Sequence, residues 1–175
     1  RYVEKTQTKK RFAVSMQHYT FAVKAFVEMV KEFGMDDYAF AIHETKTGTV
    51  IEHVKDFISE IGILYMSDFN RKILMKLIHE IEFIPLFDCN TYVYVWKKNP
   101  IASKSSVSLQ ELEKYPCLTF DQGKTNSFYF AEEVFSTYEY KQTIQVDDRA
   151  SMLNLMVGLN GYTLCSGIIC EELNG

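Results

Sequence analysis

The feature that most constrains this chain is the rapid alternation of strand-like and helix-like patterns over its first 88 residues. Short apolar runs recur at 12–15, 38–43, 61–65 and 81–87. Between them, residues 19–33 read as a helix stopped by Gly34, and residues 47–57 as a second helix capped by Thr47 or Thr49. A third starts at Asp68 or Asn70 and runs to His79. Strands this close, with helices between them, predict a parallel sheet joined by right-handed crossovers. After a turn-rich break at 97–107, which follows a strand at 92–96, the theme returns. Ser108 and Glu111 have the spacing of a capping box. Strands are expected at 117–120, 142–146 and 162–165, and helices at 127–138 and 148–157. Two α/β lobes follow from this pattern.

Composition limits what such a chain does. Aromatic residues make up 14% of it, which excludes a disordered segment. The formal net charge is -4, so this segment is not expected to grip nucleic acid directly. Cys89, Cys117, Cys165 and Cys170 form no CxxC pair and lie in or beside apolar runs. Buried free thiols in a reducing cytoplasm are the simplest reading, although their even number leaves disulfides open. No apolar stretch reaches the roughly 20 residues of a membrane span, and residues 1–11 lack the apolar core of a signal peptide. A cytoplasmic protein with no membrane contact is the expectation.

Enzymatic motifs are missing. The sequence holds no nucleophile elbow, Walker loop, dinucleotide fingerprint or HExxH. Gly158-Leu-Asn-Gly161 lacks the Lys-Ser or Lys-Thr of a phosphate loop. His18, His43, His53 and His79 stand at no metal-ligand spacing, so neither a metal nor a cofactor is expected. Asp147-Asp148 reads as the start of a helix, where the dipole and capping account for it. No catalytic residue is assigned; an enzyme would need groups such as Asp121, Asp147 and His18 to converge.

Binding is better supported. In open α/β sheets ligands sit beyond the carboxyl ends of the strands, where helix N-termini present free N–H groups. Ser15-Met-Gln-His18, Glu44-Thr-Lys-Thr47 and Asp121-Gln-Gly-Lys-Thr125 are polar turns at equivalent places. A gap lined by them would hold a small polar or acidic molecule, and Lys46 is placed to pair with an anion. The helix from Tyr19 to Phe33 is apolar over an unusually wide arc, with Ala22, Phe26, Met29 and Phe33 on one stripe and Val23, Val27 and Val30 on another. It is covered either by its own domain or by a second copy of the chain.

The order of elements, and several stretches within them, resembles the effector-binding domain of LysR-type transcriptional regulators. These stretches are Phe12-Ala-Val-Ser-Met-Gln17, Asp56-Phe-Ile-Ser-Glu-Ile-Gly-Ile-Leu64, Lys98-Asn-Pro-Ile-Ala102, Val107-Ser-Leu-Gln-Glu-Leu112, Pro116-Cys-Leu-Thr-Phe120 and Val157-Gly-Leu-Asn-Gly-Tyr162. Ser59, Glu60, Asn160 and Gly161 depart from the family pattern. The resemblance implies a two-lobed type-II periplasmic-binding-protein-like fold. Residues 1–10 would be a linker remnant, 11–88 lobe I and 89–175 lobe II, with the family's final return to lobe I missing. It implies an effector site at Ser15, Met16, Gln17, His18, Thr45, Thr47, Ser67, Phe120 and Gln122. It further implies a homodimer through the helices from Tyr19 to Phe33 and from Ser127 to Tyr138, a tetramer in the full-length protein, and DNA contact only through an N-terminal domain absent here. An extracytoplasmic solute-binding protein of the same fold is the alternative.

Overall fold

The apolar run around Ala13 becomes the middle of a three-stranded sheet. Strand β1 (Lys10–Met16) grades from exposed Lys10 to fully buried Ser15 and Met16. It pairs in parallel with β2 (Tyr38–Glu44) on one side and with β3 (Ile61–Ile63) on the other. The computed structural model describes residues 9–125 and 127–168. Residues 1–8, in the expected linker, and Cys170 lie outside the described residues.

The crossovers are helices, as the alternation requires. Helix α1 (Thr20–Phe33) joins β1 to β2 and ends at Gly34, whose φ of 55° only glycine adopts without cost. Helix α2 (Thr47–Lys55) buries Val50 and Ile51. It lies directly on β3 at Gly62, where a Cβ would stand 2.8 Å from Val54 Cγ2. Helix α3 (Arg71–Leu77) adds Leu74 and, just after it, Ile78 to the cluster around Ile51.

The second half is built from shorter pieces. Strands β5 (Cys117–Phe120) and β6 (Thr143–Val146) are parallel, while β4 (Tyr92–Tyr94) and β7 (Thr163–Cys165) are antiparallel. A single bridge between Cys117 and Tyr162 links the two pairs. The capping box forms at α4 (Leu109–Leu112): Ser108 Oγ accepts from the Glu111 N–H at 3.2 Å, and the Glu111 carboxylate accepts from the Ser108 N–H at 2.8 Å. Helix α5 (Arg149–Leu159) starts at Asp148, whose carboxylate accepts from the Ser151 N–H, so capping does explain that carboxylate. The helix ends at Asn160 in the left-handed conformation, φ 53°. There the Asn160 side chain accepts from Trp96 Nε1 at 2.8 Å, which ties the turn to the chain after β4. Among the described residues no helix is long and apolar enough to cross a membrane.

Four expectations need correction. Residues 81–87 form no strand. Their apolar side chains stay exposed at Ile84, Leu86 and Phe87, because strand propensity is realised only beside a partner edge. Residues 127–138 form no helix beyond a single 3-10 turn at Phe128–Phe130. Aromatic residues are weak helix formers, and Glu132 and Glu133 spend their carboxylates on partners across the fold, His18 and the Phe120 N–H. A dimer contact through a helix from Ser127 to Tyr138 therefore has no helix to use. Thr47 is not the cap of α2, since Lys46 occupies that position and no side chain caps it. Cys89 is exposed rather than buried, whereas Cys117 is buried and its thiol is pushed up to about 11 by desolvation.

The α5–β7 turn yields a stability prediction. A Cβ at Gly161 would stand 2.7 Å from Leu118 Cδ1, and Leu118 is fully buried. Gly161→Ala should lower stability by about 1–3 kcal/mol through overpacking, read from urea unfolding midpoints; an unchanged midpoint would mean the contact relaxes freely.

Candidate functional site

Where β1 runs out, its side chains turn from packing to hydrogen bonding. Gln17 follows the strand and is completely buried. Its Oε1 accepts from the Tyr65 N–H and from the Tyr19 hydroxyl, both at 2.6 Å, and its Nε2 donates to Thr47 Oγ1 at 2.5 Å. One amide thus joins the ends of β1 and β3 to the first turn of α2. Burial also pushes the Tyr19 phenol well above its ordinary value, which keeps it a neutral donor.

The second half meets the first at the same place. Thr47 Oγ1 donates to the Phe130 carbonyl at 2.6 Å, and the Thr47 N–H donates to Gln122 Oε1 at 3.0 Å. Gln122 Nε2 donates onward to Glu132 at 2.9 Å. Glu132 Oε1 accepts from the His18 N–H at 3.0 Å and lies 2.8 Å from His18 Nδ1. The His18 ring stacks on Phe120 with centroids 3.6 Å apart and planes 4° from parallel. Two partly buried ion pairs flank the cluster: Lys46 with Asp121 at 3.3 Å, and Arg149 with Glu44 at 2.9 Å.

The nominated residues divide into groups. Gln17, His18, Thr47, Phe120 and Gln122 come together in this one cluster. Ser15 does not join them; its hydroxyl bonds to His53 Nδ1 and Ser59 Oγ, both at 2.7 Å, beneath the end of α2. Met16 is fully buried in the hydrophobic core around Val14 and Ala22. Thr45 donates its N–H to the Met16 carbonyl, continuing the β1–β2 ladder. Ser67 donates its N–H to Asn70 Oδ1 at 2.7 Å, closing the turn before α3. Lys46 is paired with Asp121 at 3.3 Å. Among the described residues no group of side chains is arranged to hold a metal ion.

Sequence reasoning missed Glu132, Glu133, Tyr65 and Phe130. Glu132 and Glu133 were hidden inside a segment read as helix, where alternating polar and apolar residues look like an ordinary solvated face. The Tyr65 N–H and the Phe130 carbonyl act through the backbone, which carries no sequence signal.

A large cavity of about 1270 Å³ opens beside the cluster. Its wall includes His18, Phe120, Glu132 and Glu133 as well as apolar side chains of α2, β3 and residues 81–87. That volume is above the roughly 300–1,000 Å³ usual for small-molecule sites.

No family model and no curated protein matches the sequence. Solved structures do match. The effector-binding domain of QuiR, in complex with shikimate, superimposes with a TM-score of 0.59 at 18% identity, over 92% of this chain and 75% of that one. The BenM effector-binding domain, with its effector benzoate, gives 0.58 at 15% identity, over 93% and 74%. HinK, a LysR family transcriptional regulator from Pseudomonas aeruginosa, gives 0.55 at 14% identity, over 94% of this chain and 55% of that one. The fold is that of LysR-type effector-binding domains. This type-II periplasmic-binding-protein-like architecture agrees with the fold expected from the strand–helix order. In the LysR-type fold of this chain, the polar cluster lies where the turn after β1 faces the turn after β5.

The cluster carries a pH prediction. Burial, reinforced by the neighbouring Glu132, pushes the Glu133 carboxyl up to about 8. A carboxyl whose folded value is raised favours the fold while protonated. That contribution is complete below the ordinary carboxyl range and is lost as pH rises through the folded value. The Tm should therefore fall between about pH 5 and about pH 9, and Glu133→Gln should flatten that decline. Identical pH profiles for both proteins would show that Glu133 is not the group responsible.

Proposed function

We propose that this chain is the effector-sensing domain of a bacterial LysR-type transcriptional regulator, binding a small anionic metabolite between its two halves. The observation that carries the reading is the convergence of turns from separate sheets on one buried polar cluster beside a cavity. Gln17 and His18 come from the end of β1, Thr47 from the start of α2, and Gln122 from the end of β5. N–H groups at strand ends suit a carboxylate, and QuiR and BenM are seen with shikimate and benzoate on this fold. Lobe I would comprise residues 11–88 and lobe II residues 89–175.

A ligand that binds one arrangement of the halves better than another shifts the population toward it. The bonds that cross between the halves are the elements such a ligand would remake. The change would reach DNA-binding domains elsewhere in a longer protein through a dimer. Helix α1 is suited to that contact, because Val23, Val27 and Val30 are only half-buried along its apolar arc.

Two measurements test the proposal. A thermal-shift screen of shikimate, benzoate, other small carboxylates, sulfur metabolites and amino acids should find at least one stabiliser. A ligand at a hundred times its Kd contributes about 2.7 kcal/mol. A screen in which nothing shifts the folded chain contradicts the sensor reading. For assembly, Val27→Glu should convert a dimer to a monomer by light scattering, and a variant that stays dimeric rules out α1 as the interface.

A further inference from the structure

We propose that Glu132 is a built-in occupant of a carboxylate site formed by His18 and Gln122, which a carboxylate ligand takes over by displacing it. Three donors surround the Glu132 carboxylate: the His18 N–H at 3.0 Å, His18 Nδ1 at 2.8 Å and Gln122 Nε2 at 2.9 Å. Glu132 and His18 side chains are each only 5% exposed, so these bonds are made out of water. Hydrogen bonds to a charged group are then at their strongest.

The donors and the acceptor differ in kind. His18 and Gln122 sit on turns at the ends of β1 and β5 and are fixed by the Phe120 stack and by Thr47. Glu132 arrives from residues 131–138, which form neither helix nor strand. Phe135 in that segment adopts φ 55°, a conformation that costs a bulky residue energy, while the residue is 55% exposed. A rigid set of donors thus meets a carboxylate on a strained strap. Glu133 lies next to it and is buried, so the strap brings two carboxyl groups into one dry place.

The cavity supplies the approach. His18, Phe120 and Glu132 all line it, so a ligand whose carboxylate replaced that of Glu132 would lay its body in the cavity, against the wall that holds the His18–Phe120 stack. A small molecule with one carboxylate on a flat or compact apolar body is the class this geometry takes. The exchange by a natural ligand rests on the sensor reading above; the carboxylate site itself does not.

The test is chemical rescue with propionate, a small carboxylate one carbon longer than the acetate-like fragment that Glu132→Ala deletes. Propionate should raise the Tm of Glu132→Ala while leaving the wild-type chain unmoved, and neither propionamide nor sodium chloride at equal concentration should do so. A shift no larger in the variant than in the wild type, or an equal shift with propionamide, overturns the proposal. If Glu132→Ala fails to fold, Glu132→Gln keeps the side-chain volume. Propionate titrated against the His18 amide resonance should then bind that variant about tenfold more tightly than the wild type, and equal affinities overturn the proposal. Rescue by propionate with a silent metabolite screen keeps the site and removes the sensor reading; metabolite shifts without rescue do the reverse.

Discussion

The arrangement of the whole molecule depends on one buried amide. Gln17 uses both ends of its side chain, accepting from Tyr65 and Tyr19 and donating to Thr47. A fully buried amide left unpaired costs about 1–3 kcal/mol per orphaned group. Satisfying this one requires β1 and β3 to end where α2 begins. Thr47 then hands the network to Gln122 and Phe130, so the position of the second half follows from the same residue. Hydrophobic clusters pack within each half, and the cluster around Leu74 also takes in Phe130 from the second half. The contacts between the halves are mixed: the hydrogen bonds and ion pairs described above run beside the His18–Phe120 and Phe69–Tyr129 stacks.

That division of labour explains why the chain keeps so many buried polar groups. An apolar seam between the halves would be more stable and would have one arrangement. A polar seam can exchange its internal partners for those of a ligand at little net cost, because each hydrogen bond lost is replaced by one gained. Glu132 is the clearest case, since its carboxylate presents to His18 and Gln122 the same acceptor atoms that an anionic metabolite would bring.

Much of the fold was legible in the sequence. Phe12–Ala13–Val14 announced the central strand, Gly34 the end of α1, and Ser108 with Glu111 the cap of α4. All of these are local signals, set by residues within a few positions of one another. The failures were non-local. Ile81, Phe83 and Ile84 have strand-forming side chains, but no partner edge lies beside them among the described residues. Residues 127–138 have a helical pattern, but their carboxylates are drawn to His18 and the Phe120 N–H far along the chain. The site followed the same rule. Gln17, His18, Thr47 and Gln122 were found because strand-end turns are predictable places, whereas Ser15, two residues earlier along β1, lies under the far end of α2 and is bonded to His53 and Ser59.

If the chain senses a carboxylate, the cluster around His18 and Gln122 is where that ligand lands. A crystal structure of the chain grown with its strongest stabilising carboxylate measures this directly. The ligand's carboxylate is expected within hydrogen-bond distance of the His18 N–H and Gln122 Nε2, with Glu132 moved away. A ligand bound elsewhere, with the Glu132 contacts intact, would contradict it.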